Sequence, residues 1–279
     1  MQIITSLRDI KEQTEKLRSS GKTIGFVPTM GALHQGHLTL LETAAEQNDL
    51  SICSIFVNPT QFNNAEDFKL YPRILENDIE ALKKSRCAML FAPSVADMYP
   101  ETLQLKFDFG ELETVMEGKF RPGHFTGVAA IVSKLFHAVR PHKAYFGQKD
   151  LQQYAVINRL VTDLSFDLEL VCHPIIREAD GLAMSSRNRR LSEEQREQAT
   201  QLYKALQLAS GLSKAHTVAE VKEAVSKHLQ PFAAIKLEYF EVADVNSLQP
   251  LAEFDASDRV ALCIAAYVGE VRLIDNVII

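Results

Sequence analysis

The sequence predicts an α/β protein: a parallel sheet with helices packed on its faces, followed by a smaller α+β unit. Three observations predict it. Short apolar runs alternate with helical segments through the first part of the chain, the pattern of strands joined by crossover helices. The glycine-rich and amide-rich stretches come directly after strands, so in an open parallel sheet they gather at one edge, where ligands bind. Beyond about residue 190 the alternation gives way to helices followed by strands. The expected division is residues 1–176 and residues 177–279, with a boundary near 175–190.

Each element has its own signal. Ser6 is an N-cap for a helix to about Ser19, with Leu7, Ile10 and Leu17 on one side and Gly21 ending it. Residues 23–27 are a short apolar strand, and after a loop Leu38, Leu41, Ala44 and Ala45 recur at helical spacing. Residues 51–57 form a buried strand, because their apolar content is nearly continuous. The loop that follows, 58–63, is rich in turn formers and amides. A helix over 73–85 and a strand over 88–91 continue the alternation. Residues 103–109 alternate apolar and polar, which predicts an edge strand. A basic, glycine-rich loop over 117–127 precedes an apolar helix over 128–139. Next come a strand over 143–147, a helix after Gln148-Lys149-Asp150 and a strand over 168–171. Ser192-x-x-Gln195 is a capping-box pattern for a helix reaching Gly211, and a second helix covers 218–229. Strands over 236–242, 259–268 and 271–278 close the chain.

Composition narrows the class. The chain has 279 residues, enough for one large or two modest domains, and 46% hydrophobic with 24% charged residues is ordinary for a soluble globular protein. A net charge of −6 argues against a broad surface for nucleic acid. Cys53, Cys87, Cys172 and Cys263 are scattered without a Cys-x-x-Cys pair, as expected for buried thiols in a reducing compartment. The first turns are charged (Arg8, Asp9, Lys11, Glu12), with no apolar signal core, and no apolar run reaches the ~20 residues that span a bilayer. A cytoplasmic protein with no membrane partner is the expectation.

The most informative stretch is Pro28-Thr29-Met30-Gly31-Ala32-Leu33-His34-Gln35-Gly36-His37, between the first predicted strand and its helix. Glycines let backbone approach a ligand closely, and the helix start turns amides and a positive dipole end toward the loop. His34 and His37, about one turn apart, are suited to facing one anion. The residues alone leave three readings open: phosphate binding, a metal site and plain structure. A metal would want further ligands, and none lies nearby at convincing spacing. A second piece, Ala183-Met184-Ser185-Ser186-Arg187, favours phosphate. Together, His-x-Gly-His and Met-Ser-Ser-Arg resemble the paired nucleotide signatures of the adenylate-forming, class I synthetase-like superfamily. Ala183 stands where that superfamily's Lys-Met-Ser-Lys-Ser begins with Lys, and the last basic group here is Arg187. No P-loop or Gly-x-Gly-x-x-Gly pattern is present. The loops after the strands add Asn58, Gln61, Arg121, His124, Lys149, Asp150 and Gln153, rich in cations and amides and poor in carboxylates. Such a set suits a triphosphate and a second substrate held by amides. Each also has a bland reading: glutamines that cap loop amides, a solvated Lys149–Asp150 pair, or an Arg121 in a surface turn.

Five blocks, in order, carry a closer resemblance: Pro-Thr-Met-Gly-Ala-Leu-His-x-Gly-His, Phe-Val-Asn-Pro-Thr-Gln-Phe, Arg-Pro-Gly-His-Phe-x-Gly-Val, Phe-Gly-Gln-Lys-Asp and Met-Ser-Ser-Arg-Asn. They resemble the pantothenate synthetase (pantoate–β-alanine ligase) family over residues 28–188, and 189–279 match its C-terminal domain in length and general pattern. The resemblance implies a Rossmann-like nucleotidyltransferase domain that binds ATP and pantoate, with a C-terminal domain closing over the active site. It implies that ATP and pantoate give pantoyl adenylate and pyrophosphate, and that β-alanine then yields pantothenate and AMP. It places His34 and His37 on the phosphates, with Lys149, Ser185, Ser186 and Arg187 clasping them, and leaves open whether His37 donates a proton or a hydrogen bond. Met30, Gly31, Ala32, Leu33, Gln35, Gly36, Gly147, Gln148, Asp150, Ile176 and Met184 are implied nucleotide contacts, with Gly147 and Asp150 near the ribose and Met30 covering the adenylate. Gln61 and Gln153 are implied pantoate ligands, with Asn58 in the same substrate set. The resemblance also places Arg121 and His124 in a flexible segment over the phosphates. Mg²⁺ is implied as the partner of ATP rather than as a housed metal, and a homodimer is the family's usual state.

Rivals differ in what they require. A nucleotidyltransferase acting on a phosphate acceptor would meet it with Arg or Lys rather than Gln61 and Gln153. An aminoacyl-tRNA synthetase would need a tRNA-binding domain, which this short, acidic chain lacks evident signs of. A regulatory nucleotide binder would have no need for both histidines, Lys149 and the Ser-Ser-Arg triplet together.

Overall fold

The computed structural model describes residues 1–63 and 65–279. In chain order the regular elements are β1 (Gln2–Ile4), α1 (Leu7–Ser19), β2 (Ile24–Thr29), α2 (Gln35–Gln47), β3 (Leu50–Ile55), α3 (Ala65–Leu70), α4 (Leu75–Lys83), β4 (Met89–Phe91), α5 (Val95–Met98), α6 (Met116–Phe120), α7 (His124–Val139), β5 (Lys143–Gly147), α8 (Leu151–Asp163), β6 (Glu169–His173), α9 (Glu193–Ala199), α10 (Gln201–Leu212), α11 (Val218–Leu229), β7 (Ile235–Asp244), β8 (Val260–Val268) and β9 (Val271–Ile278). They divide between two compact units. The first comprises Met1–Phe109, Arg121–Gly147 and Val156–His173; the second comprises Gly110–Phe120, Gln148–Ala155 and Pro174–Ile279.

The first unit is built on a six-stranded sheet in the order β1-β4-β3-β2-β5-β6, with every neighbouring pair parallel. Parallel strands are covered on both faces, and these read accordingly: Phe26, Val27, Ile52, Cys53, Leu90, Ala144 and Tyr145 are fully buried. Leu41, Ala44, Leu82, Val139 and Ile157 bring the helices onto them. Burying one such Leu or Ile contributes roughly 1.5–3 kcal/mol, which is what holds short helices like α4 in place. The order runs one way from β2 through β3 to β4 and the other way through β5 to β6, so it reverses between β2 and β5. A Rossmann-like sheet binds its ligands at such a reversal, outside the carboxyl ends of the strands.

The second unit holds an antiparallel sheet in the order β7-β8-β9. β8 is the middle strand and is buried along almost its whole length, with α10 and α11 packing Leu202, Leu206, Val221 and Val225 into the same core as Leu262 and Ile264. A smaller cluster joins Met116 and Leu151 to Ala243, Leu248, Ala261 and Cys263.

Three expectations are corrected. Residues 103–109 alternate but pair with no strand, and Thr126 Oγ1 donates to the Phe107 carbonyl (3.0 Å) instead of a ladder partner. The glycine-rich stretch 117–127 is largely helical, divided between α6 and the first turn of α7. The helix from Ser192 is interrupted at Thr200, whose hydroxyl donates to the Glu197 carbonyl (2.7 Å) and separates α9 from α10. β1, α3 and α5 add to the expected elements, each too short to show a period in the sequence.

Candidate active site

In the first unit the site begins where β2 ends. Thr29 Oγ1 donates to the Ser54 carbonyl (2.8 Å) and accepts from the Gly31 N–H (3.1 Å), which turns the chain. Gly31 has φ +79°, and a Cβ there would lie 2.9 Å from Asp78 Oδ2 and 3.0 Å from Ile55, so only glycine fits. Ala32 follows at φ +50°, a left-handed conformation that costs an L-residue about 1–3 kcal/mol. Asp78 on α4 offsets that cost. Its buried carboxylate accepts from the N–H of Ala32 and of Leu33, both at 2.8 Å, and bonds to a charged acceptor are worth roughly 1.5–3 kcal/mol each. The amides of Ala32 and Leu33 are therefore used within the protein.

The turn delivers His34 as the extended N-cap of α2, with its N–H donating to His37 Nδ1 (3.3 Å). The two imidazoles lie 4.0 Å apart between centroids at 35°, side by side over the first turn of a 13-residue helix. No acidic residue occupies that turn. An anion here meets the positive end of the helix and two ring systems capable of donating. A cavity of about 310 Å³ lined by Met30, Gly31, Phe56, Arg73 and Asp78 opens beside the loop.

Asn58 and Gln61 follow β3, in and before the single turn Pro59–Gln61. Asn58 is buried, and its Oδ1 accepts from Tyr99 Oη–H (2.9 Å), Thr60 Oγ1–H (3.0 Å) and Thr60 N–H (3.4 Å). Burial pushes the Tyr99 phenol above its ordinary pKa, so it stays a donor. With Oδ1 thus assigned, Asn58 Nδ2 faces Gln61 Oε1 (3.1 Å) and the Gly127 carbonyl (3.0 Å). Gln61 is left with its Nε2 pointing at Met30 Sδ, 2.9 Å away, so it presents N–H donors on the Met30 side. His124 Nδ1 lies 2.8 Å from the Gln61 carbonyl, and Arg121 Nη2 reaches the same oxygen at 3.5 Å. α7 can start this close because a Cβ on Gly127 would come within 2.8 Å of Gln61 Cα.

The second unit carries the other candidates. Gln148–Asp150 form one 3-10 turn ahead of α8, with Lys149 Nζ 3.3 Å from Asp150 Oδ2. Gln153 is half-buried, whereas its neighbour Gln152 is buried and spends its amide on the Leu112 and Val115 carbonyls (2.6 and 3.0 Å). Ile176 and Met184 face each other across a tight hairpin, with Met184 N–H donating to the Ile176 carbonyl (3.0 Å). The hairpin leads into Ser185, whose Oγ accepts from the Arg187 N–H (3.3 Å) and starts the short turn Ser186–Arg190. Ser186 is buried and Arg187 half-buried. Asn188 holds the turn down through Glu178 Oε1 (3.0 Å) and the Ala183 carbonyl (3.1 Å).

Across residues 2–278 the chain matches the family model described as Pantoate-beta-alanine ligase. The chain belongs to that family. A pantothenate synthetase of Bacteroides fragilis is 47% identical over 277 residues, covering 99% of this chain and 98% of its own. One from Thermotoga petrophila is 46% identical over 281 residues, with full coverage of both. Among solved structures, pantothenate synthetase from Thermus thermophilus superimposes with a TM-score of 0.92 at 40% identity, over 99% of each chain. Pantoate-beta-alanine ligase from Francisella tularensis, complexed with beta-gamma ATP and beta-alanine, gives 0.83 at 36% identity, over 99% of this chain and 97% of its own. The chain is thus an enzyme, a pantoate-beta-alanine ligase by family, with the family's Rossmann-like sheet.

Within this ligase the structure brings together His34 with His37, and Met30 with Asn58, Gln61, Arg121 and His124. Of the signature-loop residues, Gly31, Ala32 and Leu33 are buried, Gln35 is exposed, and Gly36 lies in the first turn of α2. Gly147 ends β5, next to the reversal of strand order. Asp78 and Tyr99 were missed. Nothing in sequence marks a helix Asp as the acceptor for a loop 45 residues away, or a lone Tyr as the group that sets an Asn. Among the described residues no group of three or more His, Cys, Asp or Glu side chains is arranged to hold a metal ion, and no helix is long and apolar enough to cross a membrane.

Proposed function

We propose that this ligase condenses (R)-pantoate with β-alanine through a pantoyl-adenylate intermediate, with ATP entering as its Mg²⁺ complex. The observation that carries the reading is the His34–His37 pair over an acid-free helix start, fixed by Asp78, at the strand end where the sheet order reverses. The complex of the Francisella ligase with beta-gamma ATP and beta-alanine supports the same substrates here.

In the first half-reaction a pantoate carboxylate oxygen bonds to the α-phosphorus, and the bond from that phosphorus to the bridging oxygen breaks. Pyrophosphate leaves with the electron pair. Negative charge grows on the departing oxygens, so fixed donors and cations aimed there lower the barrier. His34, His37, Lys149, Ser185, Ser186 and Arg187 take that role, with Met30, Gly31, Gly36, Gly147, Gln148, Asp150, Ile176 and Met184 around the nucleotide. Gln61 and Gln153 hold pantoate by neutral amides, which adds no charge to repel the triphosphate. The donors that Gln61 turns toward Met30 are the right sense for a carboxylate or hydroxyl oxygen. Asn58 serves pantoate through Gln61, because its own polar atoms are already bonded within the protein. His124 at the start of α7 and Arg121 in the turn before it brace the Gln61 carbonyl. In the second half-reaction the β-alanine amine attacks the acyl carbon, AMP departs, and the nitrogen loses a proton to give pantothenate.

The deciding measurement is exchange of labelled pyrophosphate into ATP with Mg²⁺ and pantoate present and β-alanine absent. Exchange that requires pantoate is expected, because the adenylate then forms reversibly before the amine arrives. No exchange by protein that binds ATP would remove the adenylate and point to another acceptor.

A further inference from the structure

A single 3-10 turn has few hydrogen bonds of its own with which to fix a side chain, yet Lys149 sits in one. What holds that turn comes from the far end of the chain. Asn276 on β9 is 3% exposed, and its Nδ2 donates to the carbonyls of both Gln148 (2.9 Å) and Lys149 (3.0 Å). Its Oδ1 accepts from Gln148 Nε2 (3.0 Å), so every polar atom of the Asn276 amide is spent on the turn. The strand beside it is pinned in turn. Arg177 forms a two-pronged pair with Asp275 (2.6 and 2.9 Å), donates to the Asn276 carbonyl (3.2 Å), and lies 3.7 Å above the Tyr203 ring. Asn276 N–H donates to Asp275 Oδ1 (2.7 Å). The same guanidinium donates to the Gly181 carbonyl (3.1 Å) in the hairpin that leads to Ser185, Ser186 and Arg187. One strand therefore sets the backbone of the Lys149 turn and anchors the base of the Ser-Ser-Arg segment.

We propose that Asn276 is a positioning residue for the pyrophosphate-forming step and acts through Lys149. The proposal rests on the reading of Lys149 as a phosphate-binding cation. The chemical basis is specific: only a side chain with two N–H donors and one acceptor on a single short stem satisfies two consecutive carbonyls and the Gln148 amide together. Without it those carbonyls lose their donors, the turn relaxes, and a cation displaced by about 1 Å from a developing charge costs on the order of 10²-fold in rate.

The test is a mutant cycle on the full-length chain, read by pantoate-dependent exchange of pyrophosphate into ATP, for Lys149→Ala, Asn276→Ala and the double variant. Asn276→Ala is expected to lose about 10²-fold in the exchange rate constant while the pantoate KM moves less than about threefold. The double variant is expected to be no slower than Lys149→Ala alone, since a positioning residue has nothing left to position. Asn276→Ser keeps one hydroxyl donor, is the milder change for folding, and should recover part of the loss. Its comparison with Lys149→Ala carries the same cycle if the alanine variant melts early. Near-normal exchange by Asn276→Ala and Asn276→Ser beside a crippled Lys149→Ala overturns the proposal. So do losses that multiply in the double variant, the mark of a general structural role. Normal exchange by Lys149→Ala overturns the underlying reading of Lys149, whatever Asn276 variants do.

Discussion

At the scale of single residues, the residues that set the site's geometry are not those that sequence motifs advertise. His34, His37, Gln61 and Lys149 are the residues proposed to carry the chemistry, but Asp78, Asn58 and Tyr99 decide where the signature loop and Gln61 point. Asp78 holds Ala32 in a left-handed conformation it would otherwise leave, and the His34–His37 pair depends on that turn. Tyr99, through Asn58, decides which end of the Gln61 amide faces Met30. Gln61→Ala is accordingly expected to raise the pantoate KM by roughly 10-fold or more while the ATP KM stays within about threefold, as loss of one buried substrate bond predicts. Steady-state kinetics with each substrate varied in turn checks it. An equal rise in both would show Gln61 supporting the whole loop rather than one substrate. The candidate site residues were conspicuous in the sequence because histidines, glutamines and Ser-Ser-Arg stand in spaced blocks. Their supports were not, because Asp78 and Tyr99 act across 46 and 41 residues through contacts no local pattern encodes.

At the scale of elements, capped and periodic segments read well from sequence, and segments with conflicting signals did not. The helix after Ser6 and the strands β2 to β5 lie within a few residues of expectation, because caps and apolar runs are local signals. Ser192 behaves as its pattern says: its Oγ accepts from the Gln195 N–H (3.2 Å), and Gln195 Oε1 accepts from the Ser192 N–H (3.0 Å). Ser192→Ala should cost about 1 kcal/mol, the usual loss for an N-cap hydroxyl, measured as a shift in urea midpoint at unchanged slope. A shift near zero would mean that tertiary packing of α9 makes its cap redundant. Glycine was the misleading signal. Gly118 and Gly127 suggested a loop, but both sit inside helices where a Cβ would strike neighbouring backbone, 2.6 Å from Glu113 Cα and 2.8 Å from Gln61 Cα. They are there for close approach, not for turning. Residues 103–109 misled in the opposite direction, since alternation describes a face and says nothing about whether a ladder partner exists.

At the scale of the whole molecule, three of the four thiols are buried as apolar groups. Desolvation pushes Cys53 well above the ordinary thiol range, Cys87 to about 11 and Cys263 to about 12, while Cys172 is only half-buried. The thiolate is the reactive form, so iodoacetamide at about pH 8 is expected to add at most one group to the native protein and four after denaturation, read by intact mass. Several fast adducts on the native chain would mean that one of the sheets opens readily. The division of the chain has a consequence for synthesis. The second unit takes in Gly110–Phe120 and Gln148–Ala155 besides Pro174–Ile279, and its smaller cluster packs Met116 and Leu151 against Ala243, Ala261 and Cys263. Those two early segments leave the ribosome long before β7 and β8 exist to cover them. Their apolar side chains must wait, unsheltered, through roughly a hundred further residues, at about 5–20 residues per second. For this enzyme that wait is a matter of seconds during translation, and the surface left open then is one that the finished protein conceals.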